Sequence, residues 1–162
     1  MTTLATDPLT LVHLAISLAA IAIGLVVLAA MLKGQTVVSL TGLFLGLTVL
    51  TSVTGYFFHN EHVTPAMIVG AVSLIILAVA LFALYGQHLA GRWRPIYVIT
   101  AVAALYLNCF VLVVQSFIKI PPLHALVPAI PPAGPVFGAV QGLVLLAFVV
   151  AGWRAVKAGR TA

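Results

Sequence analysis

Acidic residues are nearly missing from this chain: Asp7 and Glu61 are its only two in 162 positions. With seven Lys and Arg, charged side chains reach only 6% of the sequence. So few charges cannot cover a water-facing surface, and no soluble domain fits. No Asp, Glu, Lys or Arg lies in the central part of any apolar run. That removes the buried relay that proton-coupled pumps and transporters use, and the lysine a retinal Schiff base needs. Paired catalytic carboxylates and a phosphate-binding glycine loop are equally missing, and no elbow-like turn presents a serine. Cys109 is the single cysteine, so there is no disulfide framework and no CxxC pair; it reads as a small packing residue.

What is present is apolar. Five runs fill the chain, near 9–32, 36–58, 65–87, 95–118 and 135–153. A helix needs roughly 20 apolar residues to cross a hydrocarbon core of about 30 Å, and each run is about that long. Pro8, Pro65 and Pro95 sit at or just before run starts, where the missing N–H costs nothing. The opening MTTLATDPLT carries no basic residue, so the first run is expected to stay as a membrane span rather than act as a secretory signal. The expected fold is an all-α membrane protein, a bundle of five transmembrane helices forming one domain over 1–162.

Charge gives an orientation. Lys33, Arg92, Arg94, Arg154, Lys157 and Arg160 follow the first, third and fifth runs, while Lys119, Asp7 and Glu61 lie at the alternate ends. Positive residues mark cytoplasmic segments, which predicts a periplasmic N-terminus and a cytoplasmic C-terminus in a bacterial inner membrane. The formal charge of +5 is accounted for by topology and anionic headgroups, without a nucleic-acid partner. Trp93, Tyr97 and Trp153 stand beside the cations as interfacial anchors.

Small and polar residues recur at alternating steps of four and three, which falls on one helical face. The stripes are His13, Ser17, Ala20, Gly24, Val27 and Met31; Thr41, Leu45, Thr48, Ser52, Gly55 and His59; and Tyr97, Ala101, Ala104, Asn108, Val111 and Gln115. Each is expected to face protein. Gly42 with Gly46, and Gly134 with Gly138 and Gly142, form arrays that permit close helix crossings within the bundle or between protomers.

The polar stripe residues gather in the periplasmic half. Ser17, Thr48, Ser52, Ser73, Asn108, Gln115 and Gln141 would line a ligand pocket open on that side and closed below. Four of the five histidines share the side. His13, His59 and His62 form a candidate metal set, for haem or a transition metal, because neutral imidazole is the commonest metal ligand. The competing reading makes them ordinary interfacial residues. Residues 119–135, KIPPLHALVPAIPPAGP, hold six prolines around an apolar centre. They read either as a cap over the bundle with His124 turned inward, or as a stiff connector lying on headgroups.

The stretches LTVLTSVTGYFF (47–58) and AALYLNCFVLVVQSFIKIPPLHAL (103–126) resemble small multi-pass inner-membrane proteins of proteobacteria. The resemblance implies an integral inner-membrane protein and carries no activity with it. Span number and length also resemble the TspO-type tryptophan-rich sensors, but with only Trp93 and Trp153 the tryptophan pattern of that family is lacking. Three readings stay open. One is a non-enzymatic bundle, expected to be a homo-oligomer, that binds or passes a small solute through the polar pocket. Another is a haem- or metal-binding redox protein using the three histidines. The third is an accessory subunit packed into a larger membrane complex.

Overall fold

The computed structural model describes residues 7–58 and 64–161, and among them every regular element is helical. The order is α1 (Pro8–Met31), α2 (Val38–Thr54), α3 (Pro65–Leu81), α4 (Trp93–Lys119), α5 (Pro121–Leu126) and α6 (Pro135–Thr161). A single 3₁₀ turn, Gly55–Phe57, extends α2, and a π-helical turn, Phe82–Gly86, extends α3. With those extensions five helices are long and apolar enough to cross a membrane. This is an integral, multi-pass, all-α membrane bundle whose exposed aliphatic side chains meet lipid.

Local chemistry explains the helix ends. Asp7 caps α1, its carboxylate accepting from the Thr10 N–H at 3.3 Å, with Pro8 in the first turn. Thr64 caps α3 in the same way, accepting from Met67 N–H at 3.3 Å ahead of Pro65. The chain leaves α1 through a Schellman turn: Gln35 N–H donates to Ala30 C=O and Gly34 N–H to Met31 C=O, with Gly34 at φ 72°. Two bounds differ from the expected spans. Helix α4 opens at Trp93, so Pro95 falls inside its first turn. Helix α6 runs on to Thr161, since Arg154 and Lys157 do not interrupt a helix that has merely left the hydrocarbon.

Helix α4 is the hub, packed against α1, α2, α3, α5 and α6. The aliphatic core lies toward one end, where Val27, Phe44, Leu45, Leu77, Ala80, Tyr97, Ala104 and Leu105 are buried. That end also carries Lys33, Arg92, Arg94, Arg154 and Lys157 and is called the basic end below. The opposite, polar end holds the start of α1, the end of α2 and α5. All three expected stripes turn inward: Ala20, Gly24, Val27 and Met31 are buried, as are Thr41, Leu45, Thr48 and Ser52, and Tyr97, Ala101 and Ala104.

The proline-rich segment is packed rather than laid flat. Its first six residues after Ile120 form α5 against α4, and Val127 and Pro132 beyond it are buried. His124 is half-buried, and its Nδ1 has no hydrogen-bond partner. The segment is thus anchored on α4 through α5 and buried at Val127 and Pro132, while Leu126 and Ile130 stay exposed.

The glycine arrays behave differently from one another. A Cβ on Gly42 would meet the Tyr85 hydroxyl at 2.5 Å, whereas one on Gly46, Gly134, Gly138 or Gly142 would meet nothing within 4 Å. The long array thus faces away from this chain. Gly24 is as tight as Gly42 and meets two side chains at once: a Cβ there would lie 2.5 Å from Leu105 Cδ1 and 2.8 Å from Phe44 Cε2. Both neighbours are buried and cannot swing clear. Gly24→Ala should destabilise the bundle by about 1–3 kcal/mol, read as a lower midpoint of thermal unfolding in detergent. Gly138→Ala, with open space around it, should leave that midpoint unchanged or slightly raised.

Candidate functional site

The polar side chains of the upper bundle meet in pairs across helices. On α1, His13 Nδ1 lies 2.8 Å from Thr54 Oγ1 of α2. Thr54 Oγ1 also lies 2.7 Å from Leu50 C=O; with the hydroxyl proton there, His13 Nδ1 carries the proton of the cross-helix bond and Nε2 keeps its lone pair, the tautomer being set by which way the hydroxyl turns. The ring also stands edge-on to Phe58, centroids 5.1 Å apart. One turn deeper, Ser17 donates to His13 C=O at 2.7 Å and touches Thr51 Oγ1 at 3.4 Å.

Helix α4 contributes Asn108, whose Nδ2 donates to Thr48 Oγ1 at 3.3 Å. The Thr48 proton goes to Phe44 C=O at 2.8 Å, so this hydroxyl accepts across helices while donating within its own. Ser52 and Ser73 join α2 to α3, Oγ to Oγ at 3.3 Å. Gln141 of α6 donates through Nε2 to Phe110 C=O at 3.1 Å, while its Oε1 is buried with no partner. Gln115 is half-buried, and no hydrogen bond joins it to the others.

Of the seven expected pocket residues, Thr48 and Asn108 are brought together, as are Ser52 and Ser73; Ser17, Gln115 and Gln141 stand apart from these pairs. Hydroxyls and amides that bond each other across helices serve as polar glue, a use that lipid rewards modestly. Of the three expected metal ligands, His59 and His62 lie outside the described residues. No group of three or more His, Cys, Asp or Glu side chains converges among the described ones.

Two recesses lie elsewhere, one after the other along the seam between α4 and α6. The first, about 310 Å³, opens at the basic end and is lined by Arg92, Arg94, Pro95, Val98, Val156 and Gly159 among others. The second, about 230 Å³, is lined by Ile99, Val102, Tyr106, Phe148, Gly152 and Trp153 among others, and is almost wholly apolar. None of the seven expected pocket residues lines either.

Position by position, the first recess is built by glycine and arginine. Gly91 has φ +51° and turns the chain into α4; Gly159 is small enough for the Arg94 guanidinium to pass, since a Cβ there would lie 2.9 Å from Arg94 Nε. Arg94 Nη2 donates to Gly34 C=O at 2.6 Å, which ties α4 to the Schellman turn after α1. Beside it on α6, the Lys157 ammonium sits 3.9 Å from the centre of the Trp153 ring. Sequence reading assigned these arginines to topology and to contact with anionic headgroups, with no recess between helices. The signal that could have found the recess is Gly159 standing one turn beyond Ala155, opposite Arg94 on a neighbouring helix.

The Thr48–Asn108 pair makes an asymmetric prediction. Asn108→Leu leaves Thr48 still bonded to Phe44 C=O, whereas Thr48→Val strips the half-buried Asn108 amide of its partner. Thr48→Val should therefore cost more stability than Asn108→Leu, with a coupling of about 0.6 kcal/mol in a double-mutant cycle of unfolding in detergent. No family model, curated protein or solved structure matches this chain.

Proposed function

We propose that this protein is a non-enzymatic inner-membrane bundle of a bacterium, its basic end cytoplasmic, that binds a small molecule in the recess between α4 and α6. The observation that carries the reading is that recess: about 310 Å³ at the end of a membrane bundle, with two arginines on its wall. The polar seam higher in the bundle supports it indirectly. With Thr48 bonded to Asn108 and Ser52 to Ser73, those side chains already spend part of their bonding capacity on one another. A solute finds fewer free groups there than beside Arg92 and Arg94. The homo-oligomer or larger complex keeps a surface of its own on this reading, because a Cβ on Gly138 or Gly142 would meet none of the described residues within 4 Å.

The orientation rests on the cations. Lys33, Arg92, Arg94, Arg154 and Lys157 share one end, against Lys119 at the other. A green fluorescent protein fused to the C-terminus should therefore fold and fluoresce, as it does in the cytoplasm.

A second reading, a haem or metal protein, draws on His13. With the Thr54 proton on Leu50 C=O, its Nδ1–H is held by Thr54, the outer hydrogen bond that metal-ligating histidines commonly have, and Nε2 is left as the ligating nitrogen. Elemental analysis of untagged protein decides it. Near-stoichiometric iron, copper or zinc that disappears in His13→Ala would favour this account over the first.

For the recess itself, Val156→Trp places a large ring in the cavity without touching the Gly24 crossing. Native mass spectrometry of the detergent-purified wild type should show a bound small molecule, and the Val156→Trp protein should be bare. A wild-type protein with nothing bound after mild extraction counts against the reading.

A further inference from the structure

We propose that the molecule held between α4 and α6 is an acidic phospholipid, its phosphate on Arg92 and Arg94 and an acyl chain along the apolar recess that follows. The inference rests on the small-molecule reading of this recess and names its ligand.

Charge is the starting point. Lys33, Arg92, Arg94, Arg154 and Lys157 gather at one end of the bundle, and the only acidic side chain among the described residues, Asp7, caps α1 at the other end. Among the described residues, the two arginines on the recess wall thus have no side-chain carboxylate to pair with there. Arg94 is already held in place: one of its N–H groups is fixed on Gly34 C=O at 2.6 Å, and its guanidinium passes over Gly159. A guanidinium has five N–H donors, so most of those on Arg94 remain for another acceptor. A planar fork of this kind matches the oxygens of a phosphate two at a time.

Shape adds the second half. The basic recess is bounded by Pro95, Val98 and Val156, and the next recess along the same two helices by Ile99, Val102, Phe148 and Gly152. Gly152 keeps that second recess narrow but open, since a Cβ there would reach Val102 Cγ1 at 3.4 Å. A charged mouth followed by an apolar groove, at a membrane surface, is the form of an amphiphile with an anionic head. A free phosphate would use the mouth alone. Basic pockets between transmembrane helices are a recurrent way to hold acidic headgroups.

The test uses the purified, delipidated protein incubated with vesicles of equal parts phosphatidylglycerol and phosphatidylcholine, with native mass spectrometry reading what is retained. Phosphatidylglycerol should be retained about tenfold over phosphatidylcholine, and Arg92→Gln should lower that preference roughly fivefold. Arg154→Gln, whose side chain does not line the recess, should keep it. The Arg92 side chain makes no hydrogen bond to another described residue, so its variant folds even where Arg94→Gln does not. Equal retention of the two lipids overturns the proposal, as does an Arg154→Gln effect equal to that of Arg92→Gln. Displacement of the bound species by inorganic phosphate, with no lipid preference, assigns the anion to free phosphate and also overturns it. If lipid preference is absent but Val156→Trp still expels a bound molecule, the recess remains the binding site with another ligand. If Val156→Trp changes nothing that is bound, the small-molecule reading itself falls.

Discussion

Between helices in lipid there is no hydrophobic force to speak of, because acyl chains are as apolar as leucine; association depends on how closely backbones approach. In this bundle one of the closest approaches is around Gly24, where Leu105 of α4 and Phe44 of α2 fill the space a side chain would need. Three helices are locked by that one missing Cβ. Everything else in the upper bundle depends on it, since α4 can present Asn108 to Thr48 only if α1, α2 and α4 are already within dispersion distance. The aliphatic core around Leu45, Leu77 and Ala104 gains its contacts from the same closeness.

Polar groups then follow a rule of satisfaction. Thr48, Ser17, Thr54, Thr100 and Ser116 each return a hydroxyl proton to a carbonyl one turn back, at 2.7–2.8 Å. A hydroxyl used in this way can still accept, and Thr48 and Thr54 do so from neighbouring helices. This is how a membrane helix carries polar residues without leaving a donor stranded in hydrocarbon. Gln141 Oε1 and His124 Nδ1 are the exceptions, buried and unpartnered. Buried atoms of that kind usually take water, and both belong to segments packed on the polar half of α4.

Much of the fold was legible in sequence because the signals are periodic. Run length matched the helices to within a few residues except at the end of α6, which runs on to Thr161, and steps of four and three placed Ala20, Gly24 and Met31, or Tyr97, Ala101 and Ala104, on buried faces. Periodicity names a face but not its partner. It could not distinguish Thr48 lining a cavity from Thr48 bonded to Asn108, since both need the same inward stripe. Nor could it tell a glycine used inside the chain from one turned outward. Gly24 and Gly159 lie in no array and make close approaches, as Gly42 does within its pair, whereas a Cβ on Gly138 or Gly142 of the longer array would meet no described residue within 4 Å. The reason is physical: spacing encodes rotation about one helix axis, while close packing depends on what the opposite helix presents at that height.

The same limit explains why the arginines were read as markers of topology lying at the headgroups and not as the wall of a recess. From sequence, a cation beside a span is a marker of sidedness, and Arg92 and Arg94 serve that role whatever else they do. What the fold adds is that Arg94 does not extend freely into headgroups: it turns across Gly159 to reach Gly34 C=O, joining the loop after α1 to the start of α4 and the end of α6. Holding a guanidinium still costs side-chain entropy, of order 1.5–2 kcal/mol for a fully fixed arginine, and a single carbonyl bond offsets only part of it. An anion bound to the remaining donors would offset more, and it would do so where α4 and α6 part to leave space. Charge with no acidic side chain among the described residues beside it, a fixed fork and a recess therefore coincide at one place in the bundle, and the polar half has no equivalent among its described residues.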